Sequence, residues 1–439
     1  MRAVAVAAAV AVLALAPELR AACTPRPTDA GHPFAYAGEP RSFAGTSVRV
    51  HWTASGTDAP ILATTRADGV PETVAYAAAM GDLALERYAA RGFRRIPSDL
   101  GCGGDDLVDI YLVKFAGADG STSPECGAEG CSSYVLVDAT FRNRGYADAQ
   151  EGFRTVVSHE LFHGVQYAYR ASAEDPFWSE GTAQWAMKEL HPELQDFERL
   201  LPGFFADTSR SIDAPPAGVT ATFLYGSAVW PLFLATSYGE ATVREIFETT
   251  TTGTKALDAI DQVLRRQGSS LADAYPRFAA WNAGTGALAG TGGYVDAASY
   301  PGVKTIELAD GISGITSGLG YFVHRGTLTT RTRLSLDTDD ARNRGVIVPV
   351  EGGKARIDRA ASLPADAEGE ILVIVSGTTT RKTDAPYTLR FKAPPPASPS
   401  SSAEDGGCRS TVGFIPGTGF AFAWSLAFAG LLCLRRRCS

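Results

Sequence analysis

The stretch Ser158-His159-Glu160-Leu161-Phe162-His163-Gly164 constrains this chain more than any other. Val156, Val157, Leu161, Phe162 and Val165 surround it, and no proline falls between Gly152 and Tyr169, so the segment predicts a largely buried helix. Side chains four apart on a helix share one face, about a turn apart. His159 and His163 therefore offer two imidazole nitrogens to a single point. Glu160 is rotated off that face and stands beside the pair. Two imidazoles buried side by side otherwise need two separate partners, which favours one shared ligand.

Two neutral imidazoles completed by a carboxylate oxygen form a donor set that Zn2+ takes in tetrahedral sites, so the pattern predicts zinc. A catalytic zinc needs a third protein ligand and an open position. After Tyr169 the chain reverses and restarts at Asp175-Pro176, where an aspartate cap and a first-turn proline suit a new helix. Glu180 falls early on that helix and is the expected third ligand. Glu174 and Asp175 lie in the turn and read as solvated or capping groups.

His159-Glu160-x-x-His163, followed sixteen residues on by Ser179-Glu180-Gly181-Thr182-Ala183 in a tryptophan-rich segment, resembles the gluzincin metallopeptidases. Within them the chain is similar to a group of secreted metallopeptidases of myxobacteria, which share a helix like Phe223-Leu224-Tyr225-Gly226-Ser227-Ala228-Val229-Trp230. The resemblance covers residues 45 to 290. It implies a peptidase with zinc on His159, His163 and Glu180, and with Glu160 as the general base. It also implies an oxyanion-stabilising role for Tyr225. A tyrosine among Phe223, Leu224 and Trp230 equally suits a core. In zincins the strand before the active helix is the edge on which an extended substrate pairs. Tyr134 to Val137 is the strand so implied, with an ordinary core strand as the alternative. Gluzincins often carry an acid one turn after the third ligand to orient a histidine, where this chain has Gln184.

Val48 to Trp52, Leu107 to Phe115 and Tyr134 to Asp138 read as strands, and Pro71 to Ala90 as an amphipathic helix. From Glu180 to Ala283 the pattern is helical. Short alternating strands then run from Gly293 to Lys392, including Tyr321 to Leu328 and Arg333 to Asp337. The expected fold class is α+β. A zincin-like catalytic domain spans residues 23–290, with a mixed α/β N-lobe and a helical C-lobe, and a β-sandwich accessory domain follows over residues 291–392.

Residues 1–22 read as a signal peptide, with an apolar run from Ala3 to Ala16 closed by Pro17. Export makes Cys23, Cys102, Cys126 and Cys131 a pairable set. Cys126 with Cys131 would close a short loop and leave Cys23 for Cys102, one of three possible pairings. Residues 393–411 are a Pro/Ser linker carrying Gly407-Cys408, residues 412–434 a transmembrane or sorting helix, and residues 435–439 a basic cytoplasmic tail. Together they resemble a myxobacterial C-terminal sorting signal. The implied location is the cell envelope or surface, or the medium after processing. A net charge of −8 and a body without a basic run argue against nucleic acid. The expected partners are a protein or peptide substrate and, through the C-terminal segment, a membrane. Two other functions fit the same residues: a non-catalytic envelope protein with a structural zinc and a partner-binding β-domain, or a zinc hydrolase of a non-peptide substrate.

Deleting residues 406–439 is expected to release the protein into the medium. Immunoblots of medium and envelope fractions test this, and retention of the truncated form in the envelope would rule out the tail as the anchor.

Overall fold

Alternating and continuous apolar runs in the first half build a five-stranded sheet. The computed structural model describes residues 23–393, without 62–63, 127–129, 143, 170–174, 217–220, 252, 338–341 and 381–382. The predicted signal peptide, C-terminal helix and basic tail, and all but the first residue of the linker, lie outside the described residues.

The strands β1 (Pro40–Ala44), β2 (Val48–Thr53), β3 (Val108–Val113), β4 (Gly120–Cys126) and β5 (Cys131–Asp138) lie in the order β1-β2-β3-β5-β4. β2, β3 and β5 run parallel, pairing Val50 with Ile110 and Ile110 with Val135, and are buried almost throughout. β1 and β4 are antiparallel edges. Tyr134 to Val137 is therefore internal, and the edge before the active helix is β4. Its sequence, Gly-Ser-Thr-Ser-Pro-Glu-Cys, carries no Val, Ile, Leu or aromatic side chain and is only part-buried, so it lacks the apolar alternation that marks a strand. An edge also tolerates Pro124. The disulfide Cys126–Cys131 closes the β4–β5 hairpin, and Cys23–Cys102 ties the start of the described chain to the loop before β3. Helix α1 (Glu72–Ala90) packs on the sheet at Gly81, where a β-carbon would come within 2.9 Å of Val48 and 3.1 Å of Ile110.

The helical part comprises α2 (Ala149–Ala168), α3 (Pro176–Leu190), α4 (Asp196–Phe205), α5 (Ala221–Gly226), α6 (Val229–Tyr238), α7 (Ala241–Thr250), α8 (Ala256–Arg266) and α9 (Leu271–Ala283). Asp148 caps α2 by accepting the Glu151 N–H at 2.8 Å. From Gly152 to Gln166 every residue of α2 but Arg154 is buried. Pro176 occupies the first turn of α3, but Asp175 does not cap that helix. Its backbone, φ −117° and ψ 69°, is turned away from the extended form a capping side chain uses. Its carboxylate accepts the Ala256 N–H at 2.9 Å and holds the start of α8.

The last third contains β6 (Thr305–Glu307), β7 (Ser313–Ser317), β8 (Tyr321–Asp337), β9 (Asn343–Glu351), β10 (Lys354–Ala355), β11 (Ala361–Ser362), β12 (Ala365–Gly377) and β13 (Asp384–Lys392). Where a β-sandwich would have two sheets, hydrogen bonds join these strands into one. The cause is β8. The two strands expected at Tyr321 to Leu328 and Arg333 to Asp337 are continuous, and β8 pairs with β12 over Tyr321 to Leu328 and Thr332 to Leu334, and with β13 from Arg333 to Asp337. Alternation then serves two cores. Ile347, Ile371, Val373 and Val375 join a core internal to this part. Their neighbours Val346, Val348, Leu372 and Ile374 join the main core with Phe278 and Ala279 of α9. Buried Asn282 links the two parts, donating to Tyr321 Oη at 3.1 Å and accepting from Tyr294 Oη at 2.8 Å. All described residues up to 393 belong to one compact unit. Among them no helix is long and apolar enough to cross a membrane.

With one core shared across residue 290, a chain of residues 23–393 is expected to unfold in a single cooperative transition, with coincident midpoints by tryptophan fluorescence and far-ultraviolet circular dichroism. Two resolved transitions would show that the strand-rich part folds by itself.

Candidate metal centre

Helix packing at small residues brings the site together. A β-carbon on Gly181 would lie 2.8 Å from Ser227 Oγ and 3.4 Å from Ala228 N, so the glycine lets the α5–α6 junction approach α3. Ser227 Oγ lies 2.8 Å from the Phe177 carbonyl oxygen. Gly226 has a similar part against α4, where a β-carbon would come 2.8 Å from Leu200 O. These contacts hold Tyr225 above α2.

His159 Nε2 lies 3.1 Å from His163 Nε2 and 3.2 Å from Glu180 Oε2, and His163 Nε2 lies 3.5 Å from the same oxygen. A four-coordinate ion held at about 2.0–2.1 Å spaces its ligands about 3.3–3.4 Å apart. The three donors thus have the spacing of ligands to one metal ion. Both histidines are buried and Glu180 is partly so.

His163 is oriented through its other nitrogen. Nδ1 lies 2.9 Å from Gln166 Oε1, and the Gln166 amide donates to Ser179 O and Thr182 Oγ1, each at 2.9 Å. Donation by the amide fixes Oε1 as the acceptor, so His163 Nδ1 carries a proton and Nε2, facing Glu180, is the nitrogen left for a metal once its own proton is lost. Sequence reasoning missed Gln166. Its signal was the spacing, one turn beyond His163 on the same helix. Gln184, where an acid was sought, instead donates to Asp196 Oδ2 at 2.7 Å.

Burial pushes the Glu180 carboxyl up, but hydrogen bonds from His159 and His163 outweigh it and hold that carboxyl well below the usual range. At His163 burial works against the charged form, and the Glu180 and Glu160 carboxylates overcome it, raising the imidazole to about 9 in the metal-free protein.

Glu160 is outside the donor triangle. Thr122 Oγ1, on the edge strand β4, lies 2.7 Å from Glu160 Oε2 and 2.8 Å from Glu160 O. β4 approaches so closely that a β-carbon on Gly120 would come within 2.7 Å of Glu160 Cγ and 2.6 Å of Val156 Cγ1. The Tyr225 ring centroid is 5.5 Å from that of His159. Burial, reinforced by the charges of Glu180 and Glu160, raises its phenol far above the ordinary value, so it stays a proton donor at neutral pH. Glu160, His159 and Tyr225 line a cavity of about 300 Å³ that extends to Gly120, Tyr146 and Arg199. The structure therefore brings His159, Glu160, His163, Glu180 and Tyr225 to one place.

No protein-family model matches the chain. No curated protein matches it either. Among solved structures, it is similar to the Salmonella Typhimurium periplasmic inhibitor of g-type lysozyme, at 13% identity over 20% of this chain and 96% of that one. The TM-score is 0.15, too low to bear on fold or function.

Metal entry must displace the proton that His163 holds when metal-free. Apparent metal affinity is therefore expected to rise about tenfold per pH unit from neutrality and to level off above about pH 9, read by competition with a chromogenic chelator. Glu180→Ala removes a donor and a group that raises His163, so it should bind at least about tenfold more weakly and level off at lower pH. A flat profile in the parent would show that His163 is neutral before the metal arrives.

Proposed function

We propose that this protein is a zinc-dependent peptidase in which His159, His163 and Glu180 hold Zn2+ and Glu160 is the general base. The observation that carries this reading is the position of Glu160. Its carboxylate faces the cavity beside the donor triangle, with Oε2 held by Thr122 and Oε1 without a hydrogen-bond partner among the described residues. A purely structural metal site has no use for an unspent carboxylate at its open side.

Two imidazoles and one carboxylate suit zinc, which when bound supplies Lewis acidity and lowers the pKa of water toward neutrality. Glu160 takes a proton from the attacking water and delivers it to the leaving amine. Thr122 steadies one oxygen of the base so that the other faces the cavity. Tyr225, kept protonated, donates to the developing oxyanion. Peptide as the substrate class rests on the resemblance of residues 159–163 and 179–183 to gluzincins. The two disulfides support export to an oxidising compartment, and the C-terminal segment is proposed to hold the protein at the envelope.

Glu160→Gln keeps the side-chain volume but accepts no proton at neutral pH. Turnover of a peptide library should fall about a hundredfold to ten-thousandfold with zinc content unchanged, measured by mass spectrometry of the digest and by metal analysis. A variant as fast as the parent removes Glu160 as the base. A parent that holds zinc firmly but cleaves no peptide returns the site to a structural role.

A further inference from the structure

The far end of the cavity carries a second set of polar groups, which the proposed hydrolysis does not use. Asp196 and Arg199 lie in the first turn of α4. Asp196 is 6% exposed and accepts from Gln184 Nε2 at 2.7 Å through Oδ2, while Oδ1 takes Arg199 Nη2. The position one turn beyond Glu180 thus anchors an arginine through a buried carboxylate. The guanidinium also lies 5.6 Å from the ring centroid of Tyr146. Asp119, on the opposite wall, is occupied by Tyr146 Oη at 3.0 Å and Arg144 Nε at 3.4 Å.

Arg199 is the member of this set with donors to spare. Nε and Nη1 have no acceptor among the described residues, and its side chain is about half exposed, at 48%. Gly145, at φ +86°, leaves Nη1 uncovered, since a β-carbon there would come within 3.1 Å of it. The carboxylates of Asp119 and Asp196 balance the guanidiniums of Arg144 and Arg199, so an incoming anion meets no net repulsion from these four groups. Both bidentate edges of a guanidinium include Nη2, and Asp196 takes one Nη2 hydrogen, so the second Nη2 hydrogen together with Nε or Nη1 is left to match a carboxylate.

We infer that Arg199 forms a carboxylate-binding subsite, so that the preferred peptides carry a carboxylate within reach of the scissile bond. That carboxylate is either an acidic side chain or the peptide's own C-terminus. The inference rests on the peptidase reading for its substrate and on Arg199 alone for its selectivity.

The test uses the full-length protein and two families of fluorescent peptides. One family places Glu or Gln at successive positions, and the other ends in a free acid or an amide. Each is assayed for cleavage by the parent, Arg199→Gln and Arg199→Lys, and for equilibrium binding by zinc-loaded Glu160→Gln with and without Arg199→Gln. In at least one family the acid is expected to be cleaved and bound about tenfold better than its neutral partner, and that family identifies the source of the carboxylate. Arg199→Gln should bring the ratio to about one at parental zinc content, with Arg199→Lys retaining part of it. Equal binding of acid and neutral peptides, or a preference that survives Arg199→Gln, overturns the subsite. Arg199-dependent binding without cleavage by the parent overturns the peptidase reading and leaves the subsite standing. Neither cleavage nor carboxylate-dependent binding overturns both.

Discussion

Two imidazoles and a carboxylate converge within 3.5 Å in a largely buried spot, and much of the surrounding structure serves that convergence. Removing such groups from water is costly unless each finds a partner. The helices supply partners at both ends: Gln166 behind His163, and Glu180 in front of both rings. Glu180 reaches them because α3 begins sharply at Pro176 and because Gly181 lets the next helices close over it. The sheet contributes the remaining group. Gly120 and Thr122 press on α2 from the edge strand and fix the one carboxylate that is not spent on the triangle.

What was legible in the sequence was whatever carries a regular apolar pattern, helical or strand-like. His159, His163 and their apolar neighbours announce α2, and the restart at Asp175-Pro176 locates Glu180 one helix later. Strand β4 was not legible because an edge strand made of Gly, Ser, Thr, Pro and Glu has no buried face to impose a pattern. Its importance lies in backbone proximity, which a single glycine records without saying what approaches it. Gln166 was overlooked for another reason. A glutamine beside a buried histidine is defined by its bonds to Ser179 and Thr182, on a helix whose placement the sequence does not state.

The strand-rich part shows the same limit at larger scale. Its alternation was readable strand by strand, whereas the joining of Tyr321 to Leu328 with Arg333 to Asp337 into β8 depends on which neighbours each half finds. A long strand shared by two partners makes one sheet where separate short strands suggest two.

That sheet gives alternate residues of β9 and β12 to the core of the helical part. Accessory β-domains that hang on a flexible tether behave as modules, free to be gained, lost or exchanged between proteins. Here no such freedom exists. A substitution at Tyr321 is felt by Asn282 and Tyr275 of α9, and one at either of those is felt by the sheet, so the two parts are constrained to change in step.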